Sequence, residues 1–445
     1  MNSNFAVWRS IFCALFGVAL FLIPIRYEDS YTIVLGILTQ SVTAYLGEDM
    51  YLFTLPIFLV GGLVAILYNL TPSAFASRLP GFRRLKQAHW AWTVLAINGG
   101  LVSTMMLLQL GPDWIIGKAT GVTAFVDVGG AIFLIIGFGC LFLPFLTDYG
   151  LLEFVGVLLR TPFQRTFRLP GRAAIDTLAS WVGASSIAVI MTGRQYERGF
   201  YTAREAAVIA TNFSVVSLPF VYLTAQVAGI PDYFFPLYGS MLLICLVLAV
   251  ITPLLPPLRG LPDEYYQGRD GRLQERVPED ESLLSWAQQR ALEVAENAPS
   301  VLSSLRQGFL ALLELFLTMM PAAMSIEFLA LVLYEHTPVL QWLTTPALPL
   351  LEILAIPEAA AVAPGLVVGL LDQFVPAVIA STVDTPLAKF VLAGLSVTQL
   401  IFFAESAMLI WRSAIPLSVP KLVAIFFIRT AIALPMLAAL GHLIL

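Results

Sequence analysis

The sequence predicts an all-α, polytopic membrane protein of about nine transmembrane helices, with two oppositely oriented re-entrant hairpins that form an inverted repeat. Hydrophobic residues make up 58% of the 445 residues and charged residues only 12%, whereas a soluble chain carries about 25% charged residues. Several apolar windows reach the roughly 20 residues that a helix needs to cross a bilayer. Two shorter apolar segments have polar residues at their middle, a pattern that indicates the binding site of a transporter.

The spanning candidates are the apolar stretches that approach the length of a membrane helix. They are 8–25, 51–70, 89–111, 127–147, 202–228, 234–256, 305–333, 386–411 and 420–444. No small-residue cleavage site follows the first of them, so we expect it to remain as the first membrane helix. The segment 31–46 is shorter and richer in polar residues and is expected to lie on the membrane surface. The segment 338–356 contains several prolines and is expected to be broken.

Positive charges predict the orientation, because cytoplasmic loops are enriched in Lys and Arg. Most of the 24 Lys and Arg residues lie around 78–86, 160–172, 194–204, 259–290 and 412–421, and Arg9 precedes the apolar run 11–24 of the first span. We therefore expect these loops and the N-terminus in the cytoplasm, with the chain in a bacterial inner membrane. On this topology the two short segments enter as hairpins from opposite faces. The alternative is that each is an ordinary short helix in a bundle.

This topology divides the chain into four parts. Scaffold helices occupy 1–126. The first repeat occupies 127–257, with a hairpin at 173–192 and a polar helix at 202–228. A cytoplasmic linker at 258–300 contains an amphipathic helix over 282–297. The second repeat, with the last span, occupies 301–445, with a hairpin at 359–381 and a polar helix at 386–411.

Polar side chains at the hairpin tips and on the polar helices are the candidate solute and cation ligands. In hydrocarbon such groups persist only where they pair or face an aqueous cavity. The candidate substrate-binding residues are Ser185, Ser186, Asn212, Ser214, Ser217, Asp372, Gln373, Thr398, Gln399 and Glu405. The spacing of Ser214 and Ser217 predicts that they share a helical face, as does that of Ser396 and Gln399. A structural alternative is that these groups satisfy one another between helices.

Other polar residues favour structural roles. Arg429 in the last span is expected to neutralise Glu314 or Glu327, and Thr202 with Glu205 predicts a capping box. No P-loop, metal-ligand spacing or nucleophile–base pair is visible, and the three cysteines are dispersed in apolar runs. The sequence therefore disfavours an enzyme, a nucleotide-driven pump and a nucleic-acid-binding protein.

Three motifs resemble those of the YjiH-type bacterial membrane proteins, which carry the nucleoside-recognition, or Gate, domain. They are LPFLTDYGLLEF at 143–154, LPGRAAID at 169–176 and GFYTAREA at 199–206. The resemblance covers most of the chain and is strongest from about 140 to 225. It implies a relation to concentrative nucleoside transporters, in which two opposed hairpins and two interrupted helices form the substrate and sodium site. The positions it matches to that site are Ser185, Ser186, Asn212, Ser214, Asp372, Gln373, Thr398 and Glu405.

These observations predict a secondary active transporter that moves a small polar, nucleoside-like solute by alternating access, coupled to Na⁺ or H⁺. A sodium ion is expected near Ser185, Asp372 and Glu405, and no other cofactor is expected. The expected partners are the solute and the lipid bilayer, with a homo-oligomer left open. The alternatives are a passive channel or exporter, and a non-transporting Gate-domain membrane assembly protein.

Overall fold

Helices make up most of the described chain in the computed structural model. The described residues are 3–21, 23–27, 30–70, 90–182, 185–268 and 282–445. An antiparallel pair of short strands, β1 (Pro24–Tyr27) and β2 (Ser30–Ile33), joins the first two helices, with Pro24 opposite Ile33.

The first half of the chain contains the helices that surround the first hairpin. They are α1 (Ser3–Phe21), α2 (Val34–Leu46), α3 (Tyr51–Leu70), α4 (Trp90–Leu107), α5 (Asp113–Ile116), the π-helix Lys118–Val128, α6 (Gly129–Phe142), α7 (Pro144–Thr147), α8 (Leu151–Phe167), α9 (Ala173–Val182), α10 (Ser185–Glu197), α11 (Ala203–Asn212), α12 (Leu218–Val227) and α13 (Phe234–Ile251).

The second half begins with the linker helix α14. Its helices are α14 (Leu283–Asn297), α15 (Val301–Thr318), α16 (Met320–His336), α17 (Val339–Thr344), α18 (Leu348–Ile353), α19 (Ala359–Val362), α20 (Gly365–Val368), α21 (Val375–Thr382), α22 (Pro386–Thr398), α23 (Ser406–Arg412) and α24 (Val419–Ile444).

Several helices have the length and apolar composition of membrane spans, so the chain is a multi-pass membrane protein. Five helical segments of the described chain qualify, and the number rises to seven if each of two bent pairs is one span. One bent pair joins α2 to α3 and the other joins α16 to α17 and α18, with bends of 102° and 83°. The second bend lies in the proline-containing segment 338–356, as the sequence predicts.

The predicted span 305–333 is wrong, because two helices occupy it. The α15 helix ends at Thr318 and α16 begins at Met320, with Pro321 in its first turn. Proline has no N–H and its ring clashes with the carbonyl four residues earlier, so the helix cannot continue through this position. The break places α16 against α4 and the π-helix. Gly99 of α4 lies so close to the Pro321 carbonyl that a Cβ would not fit.

The helix predicted in the linker is present, and it docks on the first half of the chain. Ser282 caps α14 by accepting a hydrogen bond from the Ser285 N–H at 3.1 Å. The helix packs against α8 and α1. Gly150 has φ +88° and faces the Ala291 carbonyl, which a Cβ would meet at 2.5 Å. The Arg160 guanidinium lies 5.5 Å from the ring centre of Trp286, a cation–π contact that fixes α14 to α8.

Candidate functional site

The polar helix predicted at 202–228 is not continuous. The α11 helix begins with the predicted capping box of Thr202 and Glu205 and ends at Asn212. Residues 213–217 leave the helix, and α12 begins at Leu218 with Pro219 in its first turn. Because the Pro219 ring would clash with the Val215 carbonyl in a continuous helix, the chain is extended before it. Ser214 and Ser217 therefore do not share a helical face, and that prediction is wrong.

The polar helix predicted at 386–411 is also broken. The α22 helix ends at Thr398, Leu400 has φ +60°, and α23 begins at Ser406. Ser406 Oγ donates to the Leu400 carbonyl at 2.6 Å and accepts from the Phe402 N–H at 3.1 Å. These side-chain bonds replace helical backbone bonds, which is how serine competes with a helix. We call 203–227 and 386–412 the first and second broken helices.

A hairpin precedes each broken helix, and the two ends of each hairpin lie together. At the first hairpin, α9 and α10, the Arg172 guanidinium lies 4.3 Å from the ring centre of Phe200. At the second hairpin, α19 to α21, the Glu358 carboxylate accepts bonds from the N–H groups of Asp384 and Thr385, at 3.1 and 2.8 Å. Each hairpin therefore leaves and returns at one place.

Each hairpin contacts the break of its own broken helix. In the first hairpin, Ser180 Oγ donates to the Val215 carbonyl at 2.8 Å. In the second, the N–H groups of Phe403 and Ala404 donate to the carbonyls of Leu370 and Leu371, at 2.8 and 2.9 Å. The breaks therefore persist because hairpin atoms satisfy backbone groups that a helix would pair internally.

The two hairpins and the two broken helices make reciprocal contacts. The second arm of the first hairpin, α10, packs against α23, the second half of the second broken helix. The second arm of the second hairpin, α21, packs against α12, the second half of the first broken helix. Each arm also contacts the first half of its own broken helix.

Arg429 joins the C-terminal ends of α11 and α22. Its side chain is fully buried. It donates to the Thr211 carbonyl and Asn212 Oδ1 at 3.0 and 2.8 Å, and to the carbonyls of Thr398 and Gln399 at 2.8 and 2.9 Å. The last carbonyls of a helix have no helical donor and carry a partial negative charge, so a guanidinium stabilises both ends. The prediction that Arg429 neutralises Glu314 or Glu327 is wrong.

A cavity of about 40 Å³ lies next to the second break and the turn of the second hairpin. It is lined by Ile132, Ile136, Phe220, Leu315, Met319, Met320, Ala323, Met324, Asp372, Gln373, Phe374, Phe402, Ala404 and Glu405. The rings of Phe220 and Phe374 are 4.5 Å apart, centre to centre. Asp372 Oδ1 accepts from the Phe374 N–H at 2.7 Å. Gln373 Nε2 is buried without a hydrogen-bond partner within the described part of the chain.

Three of the predicted site residues line this cavity: Asp372, Gln373 and Glu405. Others bond to the protein instead. Asn212 Oδ1 also accepts from Thr252 Oγ1 at 2.7 Å, Thr398 Oγ1 donates to the Gly394 carbonyl at 2.7 Å, and Gln399 Nε2 donates to Thr430 Oγ1 at 3.0 Å.

The remaining predicted residues belong to the first repeat. Ser214 Oγ is buried and has no partner among the described residues. Ser217 is half-buried at the start of α12 without a side-chain capping bond. The side chains of Ser185 and Ser186, and residues 183–184 of the predicted hairpin tip, lie outside the described part of the structure.

The charged groups that line the cavity are two carboxylates, Asp372 and Glu405. No group of three His, Cys, Asp or Glu side chains that could hold a metal is present in the described ranges. Asp372 and Glu405 interact electrostatically and supply carboxylate oxygens beside the cavity. Such oxygens suit a hard cation or a proton.

Sequence reasoning missed two residues that line the cavity, Phe220 and Phe374, and gave Glu327 a structural role. Glu327 is fully buried on α16, and an ionisable residue in a membrane segment is itself a signal of function. The two phenylalanines gave no such signal, since phenylalanine is common throughout apolar segments.

Comparison with known proteins adds three findings. The family described as Gate, nucleoside recognition, matches residues 131–231, which contain the first hairpin and the first broken helix. An uncharacterized protein of Alkalihalophilus pseudofirmus is 36% identical over 434 residues, which are 98% of this chain and 94% of that protein. No solved structure matches the chain.

Proposed function

The chain belongs to the Gate, or nucleoside-recognition, family of membrane proteins, and we propose that it is a secondary active transporter of a small, polar, nucleoside-like solute. It works in a bacterial inner membrane by alternating access, driven by a cation gradient. The N-terminus lies in the cytoplasm, as the distribution of positive charge favours.

The observation that carries this proposal is the meeting of both broken helices at Arg429. Next to the second break lies a cavity that is lined by the carboxylates of Asp372 and Glu405. Broken helices are used in membranes where backbone groups must face a site or an internal partner, and they recur at transporter binding sites. A bundle with only a structural role does not require two such breaks at one point.

The proposed topology is about nine spans with two re-entrant hairpins that enter from opposite faces. The joined ends of each hairpin support it, since a segment that leaves and returns at one place does not cross the membrane. The reciprocal contacts of α10 with α23 and of α21 with α12 support an inverted repeat. Two such repeats can rock against each other around a fixed site.

The lining of the cavity supports the proposed solute class. Its aromatic rings offer surfaces for a planar base, and its carboxylates and Gln373 offer partners for hydroxyl and amide groups. Among the described residues, its lining contains no basic side chain, so an anionic solute would meet only like charge there. A volume of about 40 Å³ holds water but not a nucleoside, so the lining helices must separate when the solute binds.

The proposal is tested by a thermal-shift screen of the purified protein in detergent. The probes are uridine, adenosine and uridine monophosphate, each with and without sodium. A solute that binds the folded state raises its melting temperature, and we expect uridine or adenosine to do so and the monophosphate not to.

Matched variants test whether the rise in melting temperature with a nucleoside depends on the residues that line the cavity. Asp372→Asn and Glu405→Gln should abolish the shift, and Glu352→Gln, at an exposed position of α18, should retain it. A nucleoside shift that persists in both site variants would contradict the proposed site. The absence of a shift with either nucleoside would contradict the proposed solute class.

A further inference from the structure

Glu327 is a fully buried carboxylate whose two oxygens both lack a hydrogen-bond partner among the described residues. It lies on α16, one helical turn after Ala323 and close to Met324, which both line the cavity. Residues spaced by four share a helical face, so Glu327 extends the α16 surface that faces the site. An unpaired carboxylate in this environment is too unfavourable to persist as a charge.

Asp372 lines the same cavity as Ala323 and Met324 of α16. The hairpin arm that follows it, α21, packs against α16, so Asp372 is the carboxylate that acts on Glu327. Asp372 is itself buried, uses Oδ1 to accept from the Phe374 N–H, and interacts with Glu405. No described lysine or arginine is among the groups that act on this pair. Arg429 instead donates its hydrogen bonds to carbonyls at the ends of α11 and α22.

Other titratable groups near α16 do not replace this interaction. The elements packed against α16 include the π-helix, α3, α4, α5, α15, α17 and α21. Their titratable side chains within the described residues, with those of α16 itself, are Tyr51, Asp113, Lys118, Asp127, Arg306, Glu314, Tyr334, Glu335 and His336. None of them is among the charges that act on Glu327.

Two carboxylates that share a buried site cannot both be ionised, because each disfavours the charged form of the other. A single proton removes one charge and supplies the missing hydrogen-bond donor. We propose that Glu327 and Asp372 form a proton-binding site, and that this proton is the coupling ion of the transport proposed above. The assignment of this proton as the coupling ion rests on the proposed transport function, whereas the proton-binding site itself does not.

The two carboxylates lie on parts of the fold that would separate during transport. Glu327 is on α16, which packs closely on α4 at Gly99 and Pro321, whereas Asp372 is in the turn of the second hairpin. With the proton bound, the hairpin turn and α16 can remain in contact. When the proton leaves, two like charges repel and favour separation of the hairpin from α16, which opens the cavity.

The proton-binding site is tested first, in the absence of solute, by thermal unfolding of the purified protein at increasing pH. The folded protein holds a proton that the unfolded chain releases near neutral pH, so raising the pH favours unfolding. We expect the melting temperature of the wild type to fall as the pH rises from about 6 to about 9, and this fall to be smaller in Glu327→Gln.

The control is Glu314→Gln, a half-buried glutamate on the adjacent helix α15, which should retain the wild-type slope. Asp372→Asn provides a second test if Glu327→Gln does not fold, and it should also flatten the slope. Equal slopes in the wild type and in both site variants would overturn the proton-binding site.

Coupling is tested in proteoliposomes with radiolabelled uridine, by comparing pH-gradient-driven accumulation with exchange at equal pH. One coupled proton and a gradient of about one pH unit support up to about tenfold accumulation. We expect Glu327→Gln to reduce the ratio of accumulation to exchange to about that of protein-free vesicles, and Glu314→Gln to leave the ratio unchanged.

The outcomes separate this inference from the proposed function. A wild-type ratio in Glu327→Gln, or accumulation driven by sodium and insensitive to the pH gradient, would overturn coupling through Glu327. A lack of exchange in the wild type would count against the proposed transport, while the pH dependence of unfolding would still decide whether the proton-binding site exists.

Discussion

The Arg429 guanidinium donates a 2.8 Å hydrogen bond to Asn212 Oδ1, 217 residues earlier in the chain. The same side chain also reaches the Thr398 and Gln399 carbonyls of the second broken helix. A residue in the last helix thus joins the two broken helices at the point where each is interrupted. This connection makes Arg429 the structural centre of the proposed transport site.

Arg429→Met should destabilise the protein strongly. It leaves the carbonyls of Thr211, Thr398 and Gln399 buried without this donor, and each unsatisfied group costs about 1–3 kcal/mol. Arg429→Lys should rescue only part of the loss, because an ammonium group has fewer donors and lacks the planar fork. Thermal unfolding measures both, with Arg412→Lys at an exposed position of α23 as the control. Wild-type stability of Arg429→Met would contradict the assigned role.

Ser180→Ala should destabilise the first break. Ser180 is buried and donates to the Val215 carbonyl at 2.8 Å, so its removal leaves a carbonyl of the break without that donor. The expected loss is about 1–2 kcal/mol of unfolding free energy. Ser41→Ala is a suitable control, because Ser41 is exposed and bonds within its own helix. Equal losses in the two variants would show that Ser180 does not stabilise the break.

Glu358 should make the ends of the second hairpin sensitive to acid. Hydrogen bonds from the backbone and hydroxyl of Thr385, then from the backbone of Asp384, hold the pKa of the Glu358 carboxyl below its usual value. A lowered pKa in the folded state means that the stabilisation is present above the unfolded-state pKa and is lost as the pH falls through the folded-state pKa. Glu358→Gln should therefore lower stability near pH 7 and reduce the loss on acidification.

The measurement is hydrogen exchange of the Thr385 amide between about pH 7 and about pH 4, corrected for intrinsic exchange. Protection should fall with pH in the wild type and be low throughout in Glu358→Gln. Glu352→Gln, a change at an exposed residue outside this contact, should behave as the wild type. Protection of Thr385 that is independent of both the pH and the variant would contradict the assigned contact.

Gly150→Ala should loosen the linker helix from α8. The left-handed φ of +88° disfavours alanine, and its Cβ would meet the Ala291 carbonyl at 2.5 Å. We expect faster proteolysis of the linker and a lower melting temperature. Gly239→Ala is the control, since a Cβ there meets no atom within 4 Å. Linker proteolysis at the wild-type rate in Gly150→Ala would contradict this account of the contact.

Sequence alone predicted the helical, multi-pass membrane architecture. Apolar composition and segment length determine this feature, and both are local. Asp372, Gln373 and Glu405 were singled out from the sequence and lie at one cavity, while their role in binding stays a prediction.

The resemblance implied two interrupted helices, but the residue patterns were interpreted as continuous polar helices. The first break follows from Pro219, a signal that was available in the sequence. The second depends on Ser406 and on backbone bonds to Leu370 and Leu371, which only the folded chain brings together.

The partner of Arg429 was mispredicted for a similar reason. A buried charge predicts a charge of opposite sign as its partner, but helix-end carbonyls meet the same electrostatic need when two helices end at one place. Glu327 was predicted as a partner of Arg429, and its relation to Asp372 was missed because Asp372 lies 45 residues later in the sequence. Proximity between such residues is a property of the fold.

Uptake of radiolabelled uridine into proteoliposomes tests the central claim most directly, by solute counterflow in the wild type, Asp372→Asn, Glu405→Gln and the control Glu352→Gln. We expect transient accumulation of label in the wild type and in the control, and its loss in both site variants. Equal accumulation in all four proteins would contradict a solute site between the two broken helices, as would the absence of counterflow in the wild type.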